Sequence, residues 1–142
     1  MAYKTHPNGL VLITDGISAL GLDCDFHQIG NQTVEIKTDS NSVRSAYIKG
    51  TNILSGAVAS MNECVRNLMR STRASVCEAA KCASEHPAKL LKLYQNKGSL
   101  NIGADADLII IDDQIDVKAT YVAGNLIWSS SEFNSKQSES LL

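Results

Sequence analysis

The sequence predicts an α/β fold, and three of its features carry that prediction. Residues 9–14 form an apolar run that ends at the carboxylate of Asp15, and such a continuous run is typical of a buried parallel strand. From Ala57 onward, apolar residues recur at spacings of three and four, which indicates a helix. Short apolar runs between residues 107 and 128 predict further strands. A carboxylate at the end of a buried strand is where a parallel α/β barrel keeps its catalytic groups.

The segment after Asp15 predicts a loop followed by a β-hairpin. Residues 16–22 carry the glycines Gly16 and Gly21 and are predicted to form the loop. Residues 33–37 alternate with a period of two, and residues 43–48 form a second β-like run. Because turn-forming residues separate these two runs, we expect them to pair as a hairpin.

Three helices are predicted in the middle of the chain. The first starts at Ala57 and ends near Ser71, with one apolar face formed by Val58, Met61, Val65, Leu68 and Met69. The second begins at Ser75, whose hydroxyl can accept from the backbone of Glu78 while the Glu78 carboxylate reaches back. The third starts with Pro87 at its first position, where the missing N–H costs nothing. It carries three leucines, Leu90, Leu91 and Leu93.

The last part of the chain predicts strands and a tail. Residues 107–112 form an apolar run, and residues 117–122 and 125–128 flank a tight Gly124-Asn125 turn, which predicts a short hairpin. Trp128 is the sole tryptophan, and we expect it to lie in a core. Residues 129–142 are rich in serine and contain little to bury, so they are predicted to be disordered.

Composition limits the class of protein. A chain of 142 residues that is 44% hydrophobic and 20% charged normally forms one domain, whereas a complete (β/α)₈ barrel needs about 250 residues. The net charge is −2 and the basic residues are scattered, which argues against nucleic acid and membrane as partners. No signal-peptide or membrane-span pattern is present, so we expect a cytoplasmic protein. The cysteines form no C-x-x-C pair and are predicted to be reduced thiols, namely Cys24, Cys64, Cys77 and Cys82.

Several stretches, taken in order, resemble one family. The C-terminal motif Gly-x-x-Ala-Asp-Leu, at residues 103–108, closes many enzymes of the amidohydrolase superfamily. In combination with Thr14-Asp15-Gly16 and Leu54-Ser55-Gly56, it is specific to the deacetylase branch. The chain therefore resembles the C-terminal part of the N-acetylglucosamine-6-phosphate deacetylases. The stretches that carry the resemblance are residues 12–22, 53–61, 64–68 and 97–112.

The resemblance implies the C-terminal piece of a metal-dependent (β/α)₈ barrel plus part of a small β-sandwich. Residues 1–97 would belong to the barrel and carry a β-hairpin insertion, residues 98–128 would be sandwich strands, and residues 129–142 would be a disordered tail. The implied reaction hydrolyses the acetamide of N-acetylglucosamine 6-phosphate, which yields glucosamine 6-phosphate and acetate. The implied partner is therefore a phosphorylated amino sugar, and a homodimer is one oligomeric state that the sequence allows.

The resemblance also assigns site residues. The aspartate that matches Asp15 is the general acid/base of the family, and the residues that match Leu54, Ser55 and Gly56 lie against the bound sugar. Asp15 would take a proton from the attacking water and pass it to the leaving nitrogen. The family's divalent metal, which we expect to be zinc, lowers the pKa of its bound water to about 7 and polarises the carbonyl. Its ligands, a glutamate and two histidines, fall N-terminal to this sequence, so we expect no metal ligand in the chain.

Each site assignment has an alternative that the residues alone leave open. Asp15 also fits a helix N-cap or a turn residue, because Asp before Gly is common in turns. Ser55 also fits a plain N-cap of the helix that follows, where exposed N–H groups and the helix dipole would otherwise suit a polar ligand. His86, which precedes Pro87, is interpreted as part of a helix start rather than as a ligand.

Three functional hypotheses remain at this point. In the first, the chain is the C-terminal portion of a deacetylase, with Asp15 as acid/base. In the second, it is a non-catalytic domain or truncated product that acts by association, because an incomplete barrel and sandwich would leave strand edges unpaired and apolar surface exposed. In the third, it belongs to a sister amidohydrolase that acts on another amide or a cyclic amide. The isolated chain is expected to be inactive because the metal ligands are missing from it.

Overall fold

The computed structural model describes residues 1–40 and 43–133, and the chain divides into two compact units. One unit combines Met1–Leu12 with Val65–Leu142, and the other is Ile13–Cys64. The predicted boundaries at residues 97 and 128 follow from the resemblance, and they stay a prediction.

The unit Ile13–Cys64 is built on a four-stranded antiparallel sheet with its strands in chain order. The predicted hairpin is confirmed, since Val34 lies opposite Ile48 and Ile36 lies opposite Ala46. Alternation places Val34 and Ile36 on one face, where they are buried together with Ala19, Ala46 and Val58. The strands are β1 (Phe26–Ile29), β2 (Gln32–Thr38), β3 (Arg44–Ile48) and β4 (Leu54–Gly56).

Residues 9–14 do not form the buried parallel strand that their apolar run predicts. Among the described residues they pair with no strand, so their backbone groups bond elsewhere. The Leu12 N–H donates to the carbonyl of Cys82 at 2.8 Å, and the Leu10 carbonyl lies 2.7 Å from His86 Nδ1. A run of apolar residues predicts burial, but a parallel strand also requires neighbouring strands to satisfy its N–H and C=O groups.

Helix α2 begins later than its apolar period predicts. It starts at Met61 rather than Ala57, because the N–H of Ser60 donates to the Glu63 carboxylate at 2.6 Å and the Cys64 N–H donates to the Ser60 carbonyl. Val58 therefore precedes the helix and lies in the core of the four-stranded sheet. The Ser60–Glu63 spacing is a capping signal that the sequence carries.

The predicted start is confirmed for the second helix, whereas the third helix begins earlier than predicted. Helix α3 begins after Ser75 with both hydrogen bonds of the predicted capping box. The next helix begins at Glu85, two residues before Pro87, which a first turn tolerates because it has N–H groups without intrahelical partners. The helices are α1 (Ala2–Thr5), α2 (Met61–Thr72), α3 (Val76–Ala83) and α4 (Glu85–Leu90), and a short 3₁₀ helix spans Pro7–Gly9. The exposed leucines near the end of α4 are Leu90, Leu91 and Leu93.

A three-stranded antiparallel sheet follows, and its tight turn differs from the prediction. Val122 lies opposite Asn125, so the central turn residues are Ala123 and Gly124, with φ of 48° and 79°, rather than Gly124 and Asn125. Positive φ at both central residues matches a hairpin turn of type I′, whose twist suits the strands. The strands are β5 (Leu108–Ile111), β6 (Val117–Val122) and β7 (Asn125–Ser129), in the order β5-β6-β7.

The end of the chain corrects two further expectations. Trp128 is 51% exposed in this sheet rather than buried in a core. The segment predicted to be disordered begins as strand, since Ser129 belongs to β7 and the Phe133 N–H donates to the Ser130 hydroxyl at 3.2 Å. Residues 134–142 of that segment lie outside the described residues.

The remaining general predictions concern cysteines and membranes. All four cysteines are free thiols, as predicted. Burial raises the pKa of the Cys64 and Cys82 thiols above the ordinary value, so both are neutral near pH 7. Within residues 1–40 and 43–133, helices are too short or too polar to cross a bilayer.

Candidate active site at the edge of the four-stranded sheet

Asp15 begins the loop of residues 15–20, named the Asp15 turn below, in which the Leu20 N–H donates to the Ile17 carbonyl, and it presents a free carboxylate. Its φ is 47°, a left-handed conformation that few residues other than glycine adopt. The side chain is exposed and makes no hydrogen bond or ion pair with the described part of the chain. No helix begins at Asp15, so the N-cap alternative is wrong, and the hydrogen-bonded turn of this loop lies at residues 17–20, after Asp15.

Leu54, Ser55 and Gly56 form strand β4 at the edge of the sheet. Leu54 pairs with Tyr47 and Gly56 pairs with Ala46, so Ser55 is an extra residue that forms a β-bulge. Helix α2 starts only at Met61, which rules out Ser55 as its N-cap and rules out a ligand site of helix N–H groups at these three residues. The Leu54 side chain is 63% exposed and forms an apolar surface at this edge.

The two residues that follow Asp15 lie against the end of strand β4, so the structure brings the loop of Asp15 close to Gly56. Gly16 and Ala57 form a parallel β-bridge, and the N–H of Ile17 donates to the Ala57 carbonyl at 3.0 Å. Gly56 has a φ of 130°, and a Cβ there would overlap the Cγ2 atom of Ile17. The catalytic role of Asp15 and the sugar-binding roles of the β4 residues stay predictions.

The sequence reasoning missed two residues of this edge, Ile17 and Ala57. Ile17 connects the Asp15 turn to β4 through its backbone and its side chain. The available signal is the small pair Gly56-Ala57, since glycine in a strand often marks a close approach of another backbone.

The histidines do not form a metal site. His86 is buried, with its Nδ1 at the Leu10 carbonyl, and His27 Nε2 lies 2.9 Å from the Asp23 carbonyl. In the part of the chain that the structure describes, no three His, Cys, Asp or Glu side chains are placed so that they could hold a metal ion. The resemblance places the metal ligands outside this chain, and His86 lies in the first turn of the helix Glu85–Leu90, at a helix start as predicted.

Other carboxylates near the C-terminal sheet are engaged, unlike that of Asp15. Asp105 and Asp107 both pair with Lys97, and Asp107 also accepts from the Ala123 N–H at 2.9 Å. The Lys97 ammonium and that N–H hold the pKa of Asp107 below its ordinary value. These aspartates stabilise turns and strand ends.

A cleft of about 510 Å³ in the unit Ile13–Cys64 lies at the hairpin rather than at Asp15. Its lining residues are Lys37, Thr38, Asp39, Val43, Ser45, Tyr47 and Asn52. Within this unit, the candidate site is therefore an open sheet edge and not the hairpin cleft.

Comparison with known proteins identifies relatives of this arrangement. A model of the amidohydrolase family matches residues 12–127. N-acetylglucosamine-6-phosphate deacetylase of Bos taurus is 46% identical over 93% of this chain. The crystal structure of N-acetylglucosamine-6-phosphate deacetylase from Thermotoga maritima superposes with a TM-score of 0.76 and 29% identity over 90% of this chain. A mutant of the Mycobacterium smegmatis deacetylase, in complex with N-acetyl-D-glucosamine-6-phosphate, superposes with a TM-score of 0.73 and 26% identity over 87% of this chain.

The matches cover this chain almost completely but each relative only in part. The aligned residues are 31% of the bovine protein, 34% of the Thermotoga chain and 32% of the Mycobacterium chain. The chain thus spans about a third of the length of the relatives that it matches. Its two sheets and intervening helices have the fold of the corresponding part of those deacetylases.

Proposed function

This chain belongs to the amidohydrolase family, and we propose that it is the C-terminal part of an N-acetylglucosamine-6-phosphate deacetylase. The proposed reaction hydrolyses the acetamide of N-acetylglucosamine 6-phosphate to glucosamine 6-phosphate and acetate. The 46% identity to the bovine deacetylase and the substrate complex of the Mycobacterium relative support this substrate.

The free carboxylate of Asp15 is the single observation that carries the proposal. A general base has to reach its substrate, and Asp15 is exposed at a sheet edge with no partner that would occupy its oxygens. As a base it accepts the proton of the water that attacks the amide carbon. As an acid it then donates this proton to the nitrogen when the C–N bond breaks, so one carboxylate performs both transfers.

Strand β4 supplies the surface on which the sugar would lie. The Leu54 side chain is largely exposed, three residues before the bridge between Ala57 and Gly16, and can pack against an apolar face of the sugar ring. The bulge at Ser55 interrupts the ladder, and the backbone groups that it leaves unpaired can bond to hydroxyls of the sugar. Gly56 has no side chain and brings the two segments close together.

The finer architecture belongs to the same proposal. We propose that residues 1–97 form part of a (β/α)₈ barrel, that residues 98–128 form strands of a small sandwich, and that residues 129–142 are its tail. Amidohydrolases are generally metal-dependent, and for the intact enzyme we propose zinc held by residues outside this chain. A cytoplasmic location and a homodimer complete the proposal.

The test is an assay of the full-length protein that carries this chain. We expect acetate release from N-acetylglucosamine 6-phosphate and much less from the unphosphorylated sugar. Asp15→Asn should lower kcat by about 10²- to 10⁴-fold, because an amide cannot accept the proton. Asp23→Asn is the matched control, since Asp23 is an exposed aspartate of the same unit, and it should retain activity.

Three results would contradict parts of the proposal. Full activity of Asp15→Asn would remove Asp15 from the mechanism. Hydrolysis of other amides but not of acetylated sugar phosphates would indicate a sister amidohydrolase. Acetate release by the purified 142-residue chain alone would show that a complete site lies within it.

A further inference from the structure

We propose that Ile17 is a positioning residue, which fixes the Asp15 turn against strand β4 and thereby sets the place of the carboxylate relative to the bound sugar. This inference rests on the proposed function of Asp15 and assigns Ile17 no contact with substrate. Four contacts of Ile17 support it, two of the backbone and two of the side chain.

The backbone contacts join the turn to the strand. Gly16 forms a parallel bridge with Ala57, and the Ile17 N–H donates to the Ala57 carbonyl at 3.0 Å. On the other side, the Ile17 carbonyl accepts from the Leu20 N–H at 2.9 Å. The residue two positions after Asp15 is therefore held from both sides.

The side-chain contact determines how close the two segments come. The Cγ2 atom of Ile17 occupies the space in which a Cβ of residue 56 would lie, and Gly56 leaves that space free. The same side chain packs against the buried cluster of Ala19, Val34 and Ile36. The Ile17 side chain thus lies between the buried cluster and strand β4 and contacts both.

The contacts of Ile17 matter because the Asp15 carboxylate has no bonding partner of its own among the described residues. The position of this carboxylate therefore depends on the backbone of its own turn. A displacement of about 1 Å of a catalytic group can cost about 10²-fold in rate. Loosening Ile17 should therefore lower kcat, whereas the sugar-binding surface of β4 stays in place and KM changes little.

The experiment compares three variants of the full-length protein. Ile17→Ala removes the carbon that contacts Gly56, and we expect kcat to fall about 10-fold or more with KM within about twofold. Ile17→Val retains a γ-methyl group at that place and should keep kcat within about twofold. Ile29→Ala is the matched control, because Ile29 is an equally partly buried isoleucine on the same cluster but lies on β1. It should lower the thermal midpoint as Ile17→Ala does and leave kcat unchanged.

Hydrogen–deuterium exchange of a peptide covering residues 13–20 gives a readout that needs no activity. We expect faster exchange of this peptide in Ile17→Ala, because the amide of residue 17 loses its protected hydrogen bond to the Ala57 carbonyl, and unchanged exchange in Ile29→Ala. Equal kcat values for these two variants, or an unchanged exchange rate in Ile17→Ala, would overturn the inference. If the wild-type protein does not act on the acetylated sugar phosphate, the proposed function fails, and the exchange rates alone decide whether Ile17 holds the turn.

Discussion

Asp15 and Ile115 share a rare backbone conformation but lie in opposite surroundings. Asp15 has a φ of 47° and Ile115 has a φ of 64°. The left-handed region costs a residue with a Cβ about 1–2 kcal/mol, so each turn needs a reason to keep it. Asp15 is exposed, whereas Ile115 is 4% exposed and packs with Val65 and Ala79.

Polar groups surround the Ile115 turn and bond to almost every part of it. The Asp112 carboxylate accepts from the N–H groups of Gln114 and Asp116 at 3.0 and 2.8 Å. The Arg66 guanidinium donates to the carbonyls of Gln114 and Ile115 at 2.7 and 3.3 Å and pairs with Asp116. Burial and bonding thus offset the strain at Ile115.

At Asp15, neither burial nor side-chain bonding offsets the cost of the conformation. Strained residues without local compensation concentrate at functional sites, where the geometry itself is useful. Positive φ does not by itself mark a functional site, because the exposed residues Arg73 and Lys92 also have it, and the proposed role of Asp15 depends on its free carboxylate as well.

The largest expected effect is that substitution of Asp15 lowers activity without lowering stability, whereas substitution of Asp112 does the reverse. Asp15→Asn should lower kcat of the full-length protein by about 10²- to 10⁴-fold and leave its thermal midpoint unchanged, because the carboxylate stabilises nothing. Asp112→Asn should lower the thermal midpoint and leave kcat unchanged, because the Asp112 carboxylate accepts two N–H groups and pairs with Lys118. A lower thermal midpoint of Asp15→Asn would show that the Asp15 carboxylate stabilises the fold, as the Asp112 carboxylate does.

Glycine substitutions separate strain from burial. Ile115→Ala should lower the free energy of unfolding by about 2–4 kcal/mol, because it removes a buried side chain and keeps the strain. Ile115→Gly should be more stable than Ile115→Ala by about 1 kcal/mol, because glycine tolerates positive φ. Asp15→Gly should instead be more stable than the wild type by about 1 kcal/mol, since no buried contact is lost.

Denaturant unfolding of the four proteins measures these differences. The comparison would be wrong if Ile115→Gly were less stable than Ile115→Ala, or if Asp15→Gly were destabilised.

The smallest expected effect is on the pH dependence of stability. Hydrogen bonds from the Asp116 N–H and Lys118 hold the pKa of Asp112 below 3.8, and Lys97 does the same for Asp107. A lowered carboxylate pKa stabilises the fold above the unfolded value of 3.8, and this stability is lost as the pH falls through the folded pKa. The thermal midpoint should therefore decrease when the pH is lowered below about 4, and this decrease should be less steep in Asp112→Asn than in the wild type. Identical acid profiles for the two proteins would contradict this.

Local signals in the sequence predicted local structure well. The Ser75–Glu78 capping box and the alternation of residues 33–37 gave elements that the structure confirms, because both signals act over a few residues. The start of α2 differs from the prediction because the apolar period extends N-terminal to the Ser60–Glu63 cap, and the cap determines where the helix begins.

What the sequence could not supply depends on distant partners. Residues 9–14 have the composition of a buried strand, but strand formation requires neighbours that are not found among the described residues. Trp128 is exposed for a related reason, since burial needs a second layer over its sheet. At the site, the resemblance singled out Asp15 and strand β4, whereas the fit of Ile17 against Gly56 joins segments about 40 positions apart and has no local pattern.

The β-bulge at Ser55 makes strand β4 sensitive to insertions and deletions of residues. Because Leu54 lies opposite Tyr47 and Gly56 lies opposite Ala46, removal of Ser55 would leave a regular ladder without the bulge and would change the local twist of this edge beside Ala57. Residues 49–53 connect β3 to β4, and insertions or deletions in this loop leave the pairing of strand β4 with strand β3 unchanged. Homologous proteins should therefore vary in length before Leu54 but keep a constant count from Leu54 to Ala57, and grafts of this edge onto other scaffolds should carry the four residues as one unit.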